Sequence, residues 1–295
     1  MNPKRLEASL LELVQRTSCD LPRDVEATIL RGLRLEAKVS TARYALDVVR
    51  QNIERARKNR LPLCQDTGTI LFYVRGPKGL DARLFRRAGD AAVKRATEIG
   101  SLRQNSVDSL TGKNTGTNLG PGSPVYHFDQ GERRTTEVRL MLKGGGCENM
   151  GIQYSLPHGG LKAGRDLAGI EKCLLDAVYQ AQGKGCAPGV LGVCIGGDRA
   201  TGYAHSKEQL LRTLDDRNPD RTLAQLETRI MKKANELGIG PMGFGGRTTL
   251  LGCKIGMLNR LPASYFISVS YMCWAFRRRG CTLSGTGQVS GWLYE

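Results

Sequence analysis

The sequence predicts a mixed α and β fold, the α+β kind, and three observations carry that prediction. Residues 4–60 repeat apolar side chains at helical spacing. Runs such as TILFYVRG (69–76) and VLGVCIGG (190–197) are rich in β-branched and aromatic residues and stop at glycine. From there on the two kinds of segment alternate. The expected architecture is an N-terminal helical segment, then mixed sheet layers with helices, with glycine-rich loops forming the site. A chain of 295 residues can bury a full core. It is expected to form a single domain over 1–295, with a helical lead-in at 1–60 and the binding chemistry in 61–295.

In chain order, Leu6, Leu10, Leu11 and Val14 mark a first helix, and Ile29, Leu33 and Ala37 mark a second after the break at Leu21-Pro22. Ser40 or Thr41 is placed to cap a third, TARYALDVVRQNIERARKN, whose basic end suits the helix dipole. A strand at 69–76 and a helix at 82–99 follow. TTEVRLMLKG (135–144) alternates polar and apolar residues and reads as a strand. Helices are expected at 167–182, 206–215 and 221–237, and strands at 190–197, 248–258 and 264–276. The sequence shows no internal repeat and no low-complexity linker.

No uninterrupted apolar run approaches about 18 residues, and MNPKRLEASLLELV lacks the apolar core and cleavage site of a signal peptide. A cytoplasmic protein with no membrane span is therefore expected. Nine cysteines without CxxC pairs are expected to be thiols or metal ligands rather than disulfides. The net charge of +16 raises the question of nucleic acid. The densest basic stretches, RLFRRAGDAAVKR (83–95) and FRRRG (276–280), lack the interleaved aromatics of a base-stacking surface, which disfavours that partner. A solvated basic face, an acidic protein partner or an anionic small substrate accounts for the charge as well.

Four loops combine glycine-rich backbone with reactive or polar side chains: PLCQDTGT (62–69), KGGGCENMG (143–151), GKGCAPGVLG (183–192) and GIGPMGFGGRTT (238–249). Such backbone lets main-chain N–H groups approach an anion, although plain turn chemistry produces the same residues. None fits the dinucleotide or P-loop pattern, so a nucleotide site is rejected. Cys64, Cys186 and Cys273 lie in or beside loops, whereas Cys173, Cys194 and Cys253 lie in apolar helix or strand patterns and are expected in the core. Three loop thiolates suit an iron–sulfur cluster with one open iron, although cysteines so far apart carry no local ligand signature.

The segments CQDTGT (64–69), LRQNSVDSLTGKNTGTN (102–118), KGGGCENM (143–150), GCAPGVLGVCIGG (185–197), LLRTLDDRNPD (210–220), LGIGPMGFGGRTTLLGCKI (237–255) and CWAFRRRG (273–280) resemble the class I, iron–sulfur-dependent fumarate hydratases and the related L(+)-tartrate dehydratase α subunits. The resemblance spans most of the chain in family order. It implies a [4Fe-4S] cluster on Cys64, Cys186 and Cys273, with substrate contacts from Gln65, Asp66, Arg103 and Gly145, Asp66 being the catalytic group among them. It also implies a hydro-lyase acting on a C4 dicarboxylate, fumarate/(S)-malate first, with L(+)-tartrate or mesaconate as alternatives. Thr69 after CQDTG is closer to the fumarases. A β subunit is implied to supply the remaining half of the active site, including the base, in an α2β2 or similar assembly. One departure stands out: Leu261 occupies the position, twelve residues before the third cysteine, where the family carries a histidine. A reading of another class, a non-catalytic iron–sulfur or nucleic-acid-binding regulator, is motivated by the charge and by that departure.

Overall fold

The computed structural model describes residues Met1–Glu295. Helices and strands of both kinds build a mixed α/β protein, and the chain divides into two compact units. One comprises Met1–Arg23, Gln51–Gly145 and Ala275–Glu295, the other Asp24–Arg50 and Gly146–Trp274. The N-terminal helices are shared out by this division: α1 (Pro3–Cys19) lies in the first unit, nearly all of α2 (Arg23–Leu35) in the second, and α3 (Thr41–Asn59) carries the chain from the second back into the first. No helix is long and apolar enough to cross a membrane.

The first unit is built on a five-stranded sheet of order β2-β1-β3-β8-β9. Its strands are β1 (Thr69–Pro77), β2 (Val125–Gly131), β3 (Thr136–Lys143), β8 (Arg277–Leu283) and β9 (Val289–Leu293). Strand β1 runs parallel to β2, across a connection that contains α4 (Ala82–Glu98), and antiparallel to β3. Ile70, Phe72 and Val74 from β1 and Val138, Leu140 and Leu142 from β3 form one core with Leu6, Leu10, Leu13 and Val14 of α1 and Phe85, Ala92 and Val93 of α4. The arginines of RLFRRAGDAAVKR therefore sit on the outer face of an amphipathic helix, opposite the apolar stripe it buries.

The second unit holds a four-stranded sheet of order β4-β7-β5-β6, from β4 (Ile152–Ser155), β5 (Gly189–Gly196), β6 (Leu250–Leu258) and β7 (Phe266–Met272). Helices α6 (Leu167–Ala181) and α8 (Arg221–Glu236) bury Ile170, Leu174, Leu226 and Ile230 against Leu191, Val193, Ile255 and Val269. Helix α7 (Arg199–Gln209) is tied to the sheet where the Ser206 and Ser270 hydroxyls meet at 2.9 Å. The short helix α5 (Gly145–Asn149) completes the set.

Three sequence expectations are corrected. The helix expected at 206–215 is α7, which starts earlier because the Asp198 carboxylate caps it, accepting the Ala200 and Thr201 N–H groups. The strand expected at 264–276 stops at Met272, and Arg277–Leu283 forms a separate strand of the other sheet. Its arginines, 277, 278 and 279, are 2%, 0% and 7% exposed, so FRRRG is no surface patch. Strands β2, β4 and β9 carry too little apolar alternation to stand out in the sequence.

Candidate active site

In the first unit the turn 64–68 joins α3 to β1. The chain entering it is pinned, since Leu63 donates its N–H to the Ser18 carbonyl (2.9 Å) and its own carbonyl accepts from the Asn52 amide (2.9 Å). Cys64 is half-buried and Gln65 exposed. Thr67 is 1% exposed, and its hydroxyl accepts the Arg103 N–H (2.9 Å) while donating to the Arg103 carbonyl (2.7 Å). This reciprocal pair fixes the backbone of residue 103 beside the turn and leaves the Arg103 side chain exposed. Gly68 closes the turn at φ +76°, where a Cβ would stand 2.3 Å from the Lys143 carbonyl oxygen; any other residue is excluded both by conformation and by space.

Asp66 is held at three atoms. One carboxylate oxygen accepts from the Asn105 side-chain amide at 2.5 Å, the other from the Gly145 N–H at 2.6 Å, and the Asp66 carbonyl accepts from the Arg277 guanidinium at 2.7 Å. Arg277 is buried, and its Nε and Nη1 have no hydrogen-bond partner. A buried guanidinium with unused donors is costly, and here it places a fixed positive charge under the turn that carries Cys64 and Asp66.

In the second unit the strand pairing gathers a set of cysteines. Val190 of β5 pairs with Met272 of β7, so Cys186, just before β5, and Cys273, just after β7, lie at the same sheet end. The antiparallel β4–β7 pair brings Cys147, on α5, to that end as well. Trp274 donates its N–H to the Cys186 carbonyl (3.4 Å), and Cys273 donates its N–H to the Cys147 sulfur (3.2 Å). Tyr271 lies beneath the Cys186 loop, so close that a Cβ on Gly189 would stand 2.2 Å from its hydroxyl. Burial first, and then the charges of Cys273, Cys147 and Cys186, push the Tyr271 phenol well above its usual range.

Glycine-rich backbone does collect anions in this protein, but they are its own carboxylates. In the loop 238–249 the buried Glu36 carboxylate takes the N–H groups of Arg247 (2.9 Å) and Thr248 (2.8 Å). At KGGGC, the Gly145 N–H is taken by Asp66. Leu261 is 72% exposed and precedes β7, whereas Cys273 follows it. The strand's length, on the order of 20 Å, lies between Leu261 and Cys273.

No group of three or more His, Cys, Asp or Glu side chains surrounds a common metal position. The chemistry of the thiols still separates ligand candidates from core residues. Burial pushes Cys173 up to about 11, Cys194 and Cys281 up to about 12, and Cys253 higher still, so these remain protonated and poor ligands. Cys64, Cys186 and Cys273 are half-buried on loop or strand-end backbone, Cys64 in the first unit and the other two in the second. By their chemistry, partly buried thiols such as these suit a soft, thiophilic iron–sulfur group better than the protonated core thiols do. Asn105, Cys147, Tyr271 and Arg277 are additions that the sequence did not single out; all but Tyr271 lie inside quoted motifs, and only the fold reveals their partners.

The family model described as fumarate hydratase (Fumerase) matches residues 7–282, and the chain belongs to that family. It is 52% identical over 99% of its length to a putative fumarate hydratase class I of Geobacillus stearothermophilus, of which it spans 58%. It is also 32% identical to a putative L(+)-tartrate dehydratase subunit alpha of Methanocaldococcus jannaschii, over 91% of this chain and 94% of that one. With the L(+)-tartrate dehydratase subunit alpha of Escherichia coli K12 the identity is 30%, over 88% and 85% of the two chains.

Proposed function

We propose that the chain is the α-type half of a hydro-lyase that adds water reversibly to an unsaturated C4 dicarboxylate, with fumarate and (S)-malate as the substrate pair. The observation that carries this reading is the bond between Asp66 and the Gly145 N–H (2.6 Å), which joins CQDTG to KGGGC, two of the segments on which the family resemblance rests. Cys64, Cys186 and Cys273 would hold a [4Fe-4S] cluster, which when bound supplies an open iron, a Lewis acid for the leaving hydroxyl.

The chain's own residues bind and orient. Arg103, its backbone locked by Thr67 and its guanidinium exposed, offers a planar fork to one substrate carboxylate. The Asp66 oxygens each accept one N–H and keep further lone pairs to accept the substrate hydroxyl. Gln65 is exposed, and its amide is assigned the second carboxylate. In the dehydration direction the C–O bond breaks, the neighbouring carbon loses a proton and the C=C bond forms. The base for that proton comes from a β-type partner, in an α2β2 or similar assembly. L(+)-tartrate is the second reading, favoured by two relatives of similar length named as tartrate dehydratase α subunits, which align over 94% and 85% of their own chains.

The test is anaerobic reconstitution with a β-type chain, followed by assays on fumarate, (S)-malate, L(+)-tartrate and mesaconate. Highest kcat/KM for fumarate and malate is expected. A preference for tartrate overturns the substrate ranking, and turnover of none of the four overturns the hydro-lyase reading.

A further inference from the structure

Asp66 owes its orientation to a chain of hydrogen bonds that starts deep in the first unit. Asn118, 2% exposed, donates its amide to the Thr97 hydroxyl of α4 (3.0 Å) and to the Arg103 carbonyl (2.8 Å), and its Oδ1 accepts the Asn105 N–H (2.7 Å). The backbone of Asn105 is therefore fixed independently of its side chain. The Asn105 side chain then reaches one oxygen of Asp66 at 2.5 Å, while Gly145 holds the other at 2.6 Å. An ionised carboxylate only accepts, so the amide must turn its NH2 toward Asp66. Without Asn105 the carboxylate keeps a single side-chain tether and can rotate away from the Gly145 N–H.

We infer that Asn105 is a positioning residue for Asp66: its amide, together with the Gly145 N–H, clamps the carboxylate in the one orientation that meets the substrate hydroxyl. The inference rests on the hydro-lyase reading for its effect on turnover, but the clamp itself is a property of this chain alone. Asn105 is exposed, so changing it opens no core.

Two variants test it. Asn105→Asp keeps the shape and replaces the donor by a like charge; Asn105→Ala removes both. In the reconstituted pair, loss of a hydrogen bond to a charged group predicts a fall in kcat of about ten- to a hundredfold. KM should stay within about threefold, because Arg103 still binds the substrate. The Asp variant should be at least as impaired as the Ala variant, which a role in shape alone would not produce. Independently of turnover, amide exchange at Gly145 should accelerate about tenfold in both variants, since its acceptor is released. Exchange unchanged in both variants overturns the proposal, as does an Asn105→Asp enzyme with kcat within twofold of the unsubstituted pair. Should the unsubstituted pair turn over no C4 dicarboxylate, the hydro-lyase reading falls and the exchange measurement alone decides the clamp.

Discussion

Cys64, Cys186 and Cys273 are only half-buried, while four other thiols sink into the apolar interior with raised proton affinity. Burial disfavours a thiolate, so these three half-buried thiols can donate to iron at a smaller desolvation cost than the four in the interior. Serine at 64, 186 or 273 is expected to strip iron and turnover together, because a hydroxyl is a poor ligand for a thiophilic cluster. Serine at 173 or 194 should leave iron content nearly unchanged. Iron retained by Cys186→Ser, measured after anaerobic reconstitution, refutes the assignment. The burial of Cys173, Cys194 and Cys253 was legible from their apolar helix and strand patterns. The partnership of Asn105 with Asp66 was not, because it spans 39 positions and no local spacing encodes it.

Among the elements, the end of α2 shows how a glycine-rich loop is filled. Glu36 is 5% exposed and receives N–H groups from Arg247 and Thr248, all within the second unit. Truncation to alanine strands those donors in a buried place, and Glu36→Ala should lower unfolding stability by about 2–4 kcal/mol in urea titration, whereas Glu36→Gln should cost less. A second element-scale test lies between α7 and β6. Burial alone would raise the Asp216 carboxyl, but hydrogen bonds and charge from Arg212 (2.8 Å) and Lys254 (2.5 Å) outweigh it and hold Asp216 below the usual carboxylate range. A lowered folded-state value means that the stabilisation is complete above the unfolded value of about 3.9 and disappears as pH falls through the folded one. Asp216→Asn should therefore flatten the loss of stability measured by urea titration below about pH 4, while lowering stability at neutral pH. An unaltered acid limb rules the pair out as its source. Most helices and the long strands were legible because an amphipathic stripe or a β-branched run encodes them locally. The strand at Arg277–Leu283 was hidden because its first three residues are arginines, which read as surface until the structure buries them.

For the whole molecule, some of the carriers of the net charge of +16 lie inside it. Arg277, Arg278 and Arg279 are interior, Arg279 paired with Asp20, and Lys254 is engaged by Asp216. The family was legible from motifs scattered over most of the chain, whereas the division of the chain into two units was not, because residues 24–50 leave and re-enter along continuous helices without a linker. The donor side of the proposed reaction is well supplied here: thiols, an oriented carboxylate and an exposed guanidinium. Proton abstraction next to the leaving hydroxyl needs a base of its own, and Asp66, with both carboxylate oxygens engaged by N–H donors and assigned to the substrate hydroxyl, is not free for that second role. The chain also spans only 58% of the Geobacillus relative. The iron-loaded chain by itself should therefore bind a dicarboxylate without turning it over, and stepwise addition of a β-type chain should raise the rate until the two are equimolar. Calorimetry of dicarboxylate binding and initial rates across that titration separate the two steps. Full turnover by the isolated chain would place the base within these residues and overturn the division of labour proposed here.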